Sequence, residues 1–320
     1  MTTVEEIKHV EKIFKIDFVQ NIGDDPRLLY ADTDSEYNGF KIPFNKFEND
    51  TRTVKYSQKL SMDCNIKYKD ICNTVFKNRA NIAPEWNFMN FKSEVVAYRG
   101  FFNTKKFYAL AKIWMEETFY KELEIKKTGG QILKADTSKI TFEFLSEIYN
   151  TIVLRTEFET LGEIKRFIYI DLKNKYLTKL KDAILNFDFN YFLIPKKWPT
   201  MEKKTIPVHV KGAMFYNTVF DNSIRPGDSI SLVPVILNVN KAYIYCNEIK
   251  KDKYQLPMDL LNNSINVISF PSDLIFNEDE IINTRNKLHE LDIRIDFDRI
   301  IDFNITKKLA VFDKLFPPGV

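Results

Sequence analysis

Within "RLLYADTDSEYNGF", Arg27 to Phe40, two aspartates stand two residues apart between short apolar, β-leaning runs. Leu28 to Tyr30 and Ser35 to Ile42 read as two strands of a hairpin, which puts Asp32 and Asp34 on its tight turn. Carboxylates beside a core must be paired, hydrated or bound to a cation. The turn therefore restricts both the fold and the chemistry of the chain.

Three readings fit such a turn. A calcium loop would place Glu36 at its fifth position, but Tyr37 stands where that loop needs glycine and Pro43 stands at its end, so this reading fails. A solvated turn remains open, because Asp and Thr are ordinary turn residues. So does a carboxylate pair holding magnesium for phosphoryl transfer, in which two ions about 4 Å apart clamp the attacking and leaving oxygens.

The rest of the chain sets the context. Its 320 residues suffice for about two domains, and 44% hydrophobic content allows a substantial core. The formal charge is only +3, so attraction to nucleic acid has to come from where the cations stand. Cys64, Cys72 and Cys246 have no C-x-x-C spacing and read as reduced thiols of a cytoplasmic protein. The N-terminal "MTTVEEIKHVEKIFK" has no signal-peptide character, and "ISLVPVILNV", Ile230 to Val239, is too short for a membrane span and reads as a buried strand pair.

Periodicity predicts a short helix from Val4 to Ile16 and mixed helical patches between Thr53 and Phe91. Two aromatic, β-branched strands are expected from Ser93 to Trp114, joined near Asn103. A helix capped by Asp136 or Thr137 should bury Ile140, Phe144, Leu145, Ile148 and Ile152, and a second long helix should run from about Glu157 to Leu185. Short strands and loops, including "KKTIPVHVKGAMFYN", are expected beyond it, with a helix from about Asp279 to Leu291.

"YADTDS", Tyr30 to Ser35, resembles the Y-G-D-T-D-S palm signature of B-family DNA polymerases. "GDD", Gly23 to Asp25, mimics an RNA polymerase signature but runs into Pro26 and reads as coil. Further segments follow in the family's order. "FKSEVVA", Phe91 to Ala97, looks like the T-even phage element that brings another acid, here Glu94, toward the metals. "TKKFYAL" resembles their K-K-R-Y element, with Lys105, Lys106 and Tyr108 matching and Phe107 in place of arginine. "KKTGGQILKADTSK" looks like the start of their thumb and "PVHVKG" like their H-I-R-G element, with Lys211 for arginine. "VFDKLF", Val311 to Phe316, is similar to the tail that such polymerases insert into a sliding clamp.

The resemblance implies an α+β chain: a partial palm with an antiparallel sheet and helices over residues 1–125, then a mainly helical thumb with a small β subregion over 126–305, and a tail over 306–320. It implies Asp32 and Asp34 as ligands of two Mg2+ ions, with Glu94 in support. DNA contacts would come from Thr33, Lys105, Lys106 and Tyr108 in the palm and from Lys126 and Lys127 at the start of the thumb. Gln131, Lys134, Thr137, His209 and Lys211 would add contacts in the thumb, and Phe312, Leu315 and Phe316 would anchor a clamp.

The family's D-x-x-S-L-Y-P strand and its K-x-x-x-N-x-x-Y-G finger helix are not found in these residues, and neither is its exonuclease. The expectation is therefore the C-terminal subunit of a split DNA polymerase in a bacterial host cytoplasm. Its partners would be an N-terminal polymerase subunit, primer–template DNA and deoxynucleoside triphosphates. A non-catalytic DNA- or clamp-binding module derived from a polymerase is the alternative.

Overall fold

The computed structural model describes residues 28–31, 36–38, 50–81, 83–86, 92–104, 107–129, 137–155, 157–158, 160–200, 205–220, 222–245 and 265–316. It divides into two compact units, residues 1–128 and 129–320, and is α+β with antiparallel sheets. The expected helix from Val4 to Ile16 lies outside the described residues.

In the first unit, β1 (Leu28–Ala31) pairs antiparallel with β2 (Glu36–Asn38), with Ala31 opposite Glu36. The mixed patches expected after Thr53 are instead one helix, α1 (Asp50–Ala80). No glycine or proline interrupts that stretch, so nothing breaks the hydrogen-bond ladder. Lys77 and Arg79 in the last turn favour its C-terminal dipole, and Asn81 follows at φ 51°, a left-handed stop.

The aromatic stretch forms β3 (Val95–Thr104) and β4 (Phe107–Met115), joined just after Asn103 as the sequence predicts. A third strand, β5 (Thr118–Thr128), completes the order β3-β4-β5. It runs past the boundary expected at 125. Val54 of α1 packs with Val96, Ile113 and Trp114, flanked by Tyr98 and Leu123. Burying each such side chain contributes about 1.5–3 kcal/mol, which is what fastens the polar helix to the sheet.

The second unit is built on α2 (Lys139–Val153). Its buried face includes Ile140, Phe144, Leu145 and Ile148 as expected, while Ile152 is half-buried. Ser138 rather than Asp136 or Thr137 caps it, accepting from the Thr141 N–H. Helix α3 (Leu161–Arg166) opens on a capping box between Thr160 and Glu163, passes through a π-helical turn at Phe167–Leu172 and continues as α4 (Lys173–Leu185).

Two further expectations are corrected here. "VHVKGAMFYNTV" is a helix, α5 (Val208–Val219), and Ile230 to Val239 supplies one strand, β7 (Ser229–Ile236), not a pair. Strand β7 lies between β6 (Ile194–Lys197) and β8 (Val267–Pro271), while β9 (Arg294–Ile295) also pairs with β7. Helix α5 approaches β8 closely at Gly212, where a Cβ would lie 2.7 Å from the Val267 carbonyl oxygen. Helix α6 (Glu278–Glu290) matches the sequence expectation near Asp279 to Leu291.

Candidate functional site

The β1–β2 hairpin brackets residues 32–35, so Asp32, Thr33 and Asp34 follow and precede paired strand ends although they lie outside the described residues. What seats this hairpin is aromatic. Tyr37 of β2 packs against Phe102 of β3 and Tyr108 of β4, with ring centroids 5.4 and 5.1 Å away, and Phe102 and Tyr108 are themselves 5.4 Å apart. The Tyr37 and Tyr108 hydroxyls share a hydrogen bond of 2.9 Å. Tilted rings at such separations gain about 0.5–1.5 kcal/mol each beyond burial.

The triad joins the β1–β2 hairpin to strands β3 and β4. Phe102 and Tyr108 are cross-strand partners next to the β3–β4 connection, which carries Lys105 and Lys106; both lysines lie outside the described residues. Tyr108 is buried and its hydroxyl is engaged by Tyr37, so its observed part is to seat the hairpin. Sequence reasoning misses Tyr37 as a site residue. The signal is present: a large aromatic just past an acidic turn, alternating with polar neighbours.

Other expected residues fall elsewhere. Phe107, at the position of the family's arginine, is buried edge-on to Phe101 with centroids 6.3 Å apart, so this position serves packing. Glu94 is exposed before β3, and from it to Phe102 the strand covers roughly 26 Å at about 3.3 Å per residue. The described residues thus do not bring Glu94 to the Tyr37 contact.

Lys126 and Lys127 belong to β5 of the first unit, not to the second. They sit opposite Leu110 and Ala109 respectively, so their side chains leave opposite faces of the sheet. Burial holds the Lys127 ammonium below the ordinary lysine value. Nearby, Lys112 is raised by the Tyr120 hydroxyl and, less strongly, by Glu124, whose carboxylate is 3.2 Å away.

In the second unit, Gln131 and Lys134 lie outside the described residues, and Thr137 is half-buried just ahead of the Ser138 cap. His209 and Lys211 are two apart on a helix, so they project about 200° from each other and do not converge on one phosphate. The His209 carbonyl accepts the Ser269 hydroxyl at 2.8 Å, which ties α5 to β8.

The C-terminal segment expected as a tail is folded up to Phe316. Lys307–Leu309 is helical and Ala310–Leu315 forms a 3-10 helix. Phe312 is buried edge-on to Tyr149, Phe316 is buried against Tyr169, and Leu315 is half-buried. Tyr169 also donates to Asp313. The two phenylalanines expected to anchor a clamp are core residues of their own unit, because aromatic burial here outweighs the entropy of a loose end.

Among the described residues no three His, Cys, Asp or Glu side chains gather as a metal centre. Asp32 and Asp34, whose hard oxygen donors suit magnesium, are outside them. Also among the described residues, no helix is long and apolar enough to cross a membrane.

The chain matches no protein-family model and no curated protein. Among solved structures it is similar to the family B DNA polymerase from the hyperthermophilic archaeon Pyrobaculum calidifontis, with 14% identity and a TM-score of 0.42. The match covers 78% of this chain and 25% of that one, so the chain spans about a quarter of the polymerase's length. A likeness of that degree assigns no role to any residue.

Proposed function

We propose that this chain supplies the metal-binding hairpin and part of the primer–template grip of a DNA-directed DNA polymerase of the B family. The observation that carries the reading is the seating of the β1–β2 hairpin, which brackets Asp32 and Asp34, by Tyr37 on Phe102 and Tyr108 beside the Lys105–Lys106 connection. Two carboxylates on a hairpin held by aromatic packing make a better-positioned ligand pair than the same residues on a loop.

In this reading Asp34 and Asp32 hold magnesium, which when bound neutralises triphosphate charge. Lys105 and Lys106 reach the backbone phosphates of the primer strand. The reaction is attack of the primer 3′-hydroxyl on the α-phosphate of a deoxynucleoside triphosphate, with pyrophosphate leaving. The remaining palm aspartate and the nucleotide-gripping helix come from outside these 320 residues, and we assign them to a second polypeptide.

Primer extension tests the proposal. The chain mixed with a polypeptide bearing those two elements should extend a primer in magnesium, and neither alone should. If the mixture stays inactive while the chain still binds primer–template, a non-catalytic DNA-binding role replaces the proposal.

A further inference from the structure

Helix α1 is strongly basic. Between Asp50 and Ala80 seven Lys and Arg face three Asp, a formal charge of +4, whereas the whole chain carries only +3. The rest of the chain sums to about −1 although Lys165 to Lys181 of the second unit also sets six Lys and Arg against one Asp, so what singles out α1 is the order of its charge.

The charge is also ordered. Lys55, Lys59, Lys69 and Lys77 are all exposed, and with Met62 and Ile66 between them they recur in steps of three, four or eight residues, which is one ridge of a helix. Val54 and Cys72, five turns apart, mark the buried side, and the ridge is turned away from it. Asp63 and Asp70 are exposed along one flank. From Lys55 to Lys77 the helix rises about 33 Å at ~1.5 Å per residue, close to the ~34 Å of one turn of B-form DNA. A straight ridge of that length meets the same strand of a duplex at both ends.

We propose that the α1 ridge is a double-stranded DNA backbone-binding surface, contacting phosphates through Lys55, Lys59, Lys69 and Lys77 without reading sequence. A single strand is the poorer fit, since it is held by stacking on aromatic rings and the ridge has none. A membrane surface is poorer too, because Met62 and Ile66 give only two apolar side chains where an interfacial helix needs a continuous apolar face. The surface does not depend on nucleotide addition and stands whether or not the chain completes a polymerase.

The test uses the whole 320-residue chain and a blunt duplex of about three helical turns with no primer end, titrated at several salt concentrations. Replacing all four lysines with glutamine should weaken binding at least about tenfold and flatten the plot of log K against log salt by roughly 3 to 4, about 0.9 for each phosphate no longer neutralised. Circular dichroism confirms folding; if that variant unfolds, Lys59→Gln with Lys69→Gln should flatten the slope by roughly 2. Met62→Gln with Ile66→Gln should leave duplex binding within about twofold. Unchanged affinity and slope in the lysine variants would overturn the proposal, as would loss of duplex binding in the Met62 and Ile66 variant. Lysine-dependent binding to anionic phosphatidylserine vesicles, with duplex binding unaffected by the substitutions, would also overturn it and make α1 a membrane-surface helix.

Discussion

Asn304 shows how one side chain can organise a junction. Its Oδ1 accepts from both Ser138 and Thr141, the latter at 2.8 Å, and its Nδ2 donates to the Ile300 carbonyl, all in buried surroundings. Asn304→Ala would remove the shared acceptor while leaving the Thr141 hydroxyl on the Asn304 carbonyl at 3.1 Å and the Ser138 hydroxyl on Thr141 at 2.9 Å, so at about 0.5–1.5 kcal/mol for each bond lost a loss of roughly 2 kcal/mol is expected in denaturant unfolding of the second unit. Tyr108→Phe should cost only about 1 kcal/mol, since it removes one half-buried hydrogen bond and keeps the rings. Tyrosine burial also sets an alkaline limit. Tyr216 is pushed up to about 12 by desolvation, and Tyr149, Tyr169, Tyr176 and Tyr191 are raised as well, chiefly by burial. The unfolded chain then loses these protons first as pH rises past 10.0, so stability is intact below that value and falls above it through about 12. The tyrosinate signal of these five, of fifteen tyrosines in the chain, should accordingly appear only together with loss of circular dichroism; all fifteen ionising before unfolding would contradict the burial of these rings.

Elements differ sharply in how far the sequence reveals them. The β3–β4 pair is legible because aromatic and β-branched residues dominate both strands. Strand β5 is not. Its two-residue connection, Glu116–Glu117, has φ of 46° and 70°, a left-handed geometry that Asn-Gly normally signals. That cost suggests a gain: Glu117→Gly should relieve about 1–2 kcal/mol of left-handed strain against ~0.5–1 of added chain entropy, raising stability by up to about 1 kcal/mol. Helix α1 is hidden by its polar surface, which leaves little apolar periodicity to read. Helix α5 resembles a strand in sequence because Val208 and Val210 favour strands, yet Gly212 lets it lie flat against β8. Gly212→Ala should cost about 1–3 kcal/mol in a thermal melt, because the backbone carbonyl of Val267 has to move; an unchanged melting temperature would mean the approach is looser than described.

At the scale of the whole molecule, about two units follow from the length of the chain and the α+β class from the resemblance, whereas the fate of the C-terminus follows from neither. Nothing in "VFDKLF" distinguishes a docked aromatic segment from an extended one, since that depends on Tyr149 and Tyr169 far away in sequence. Phe312→Ala should therefore destabilise the second unit by about 3–5 kcal/mol. The candidate site is half legible: the paired aspartates announce themselves by their spacing, but Tyr37, which seats their hairpin, requires knowledge of which strands lie beside it. The central claim is that Asp34 holds the reacting metal, and primer extension by the chain with its complementing polypeptide tests it most directly. Asp34→Ala should abolish extension by at least roughly a thousandfold while leaving primer–template affinity unchanged. Extension that survives the substitution would contradict the account and leave the hairpin as a structural turn.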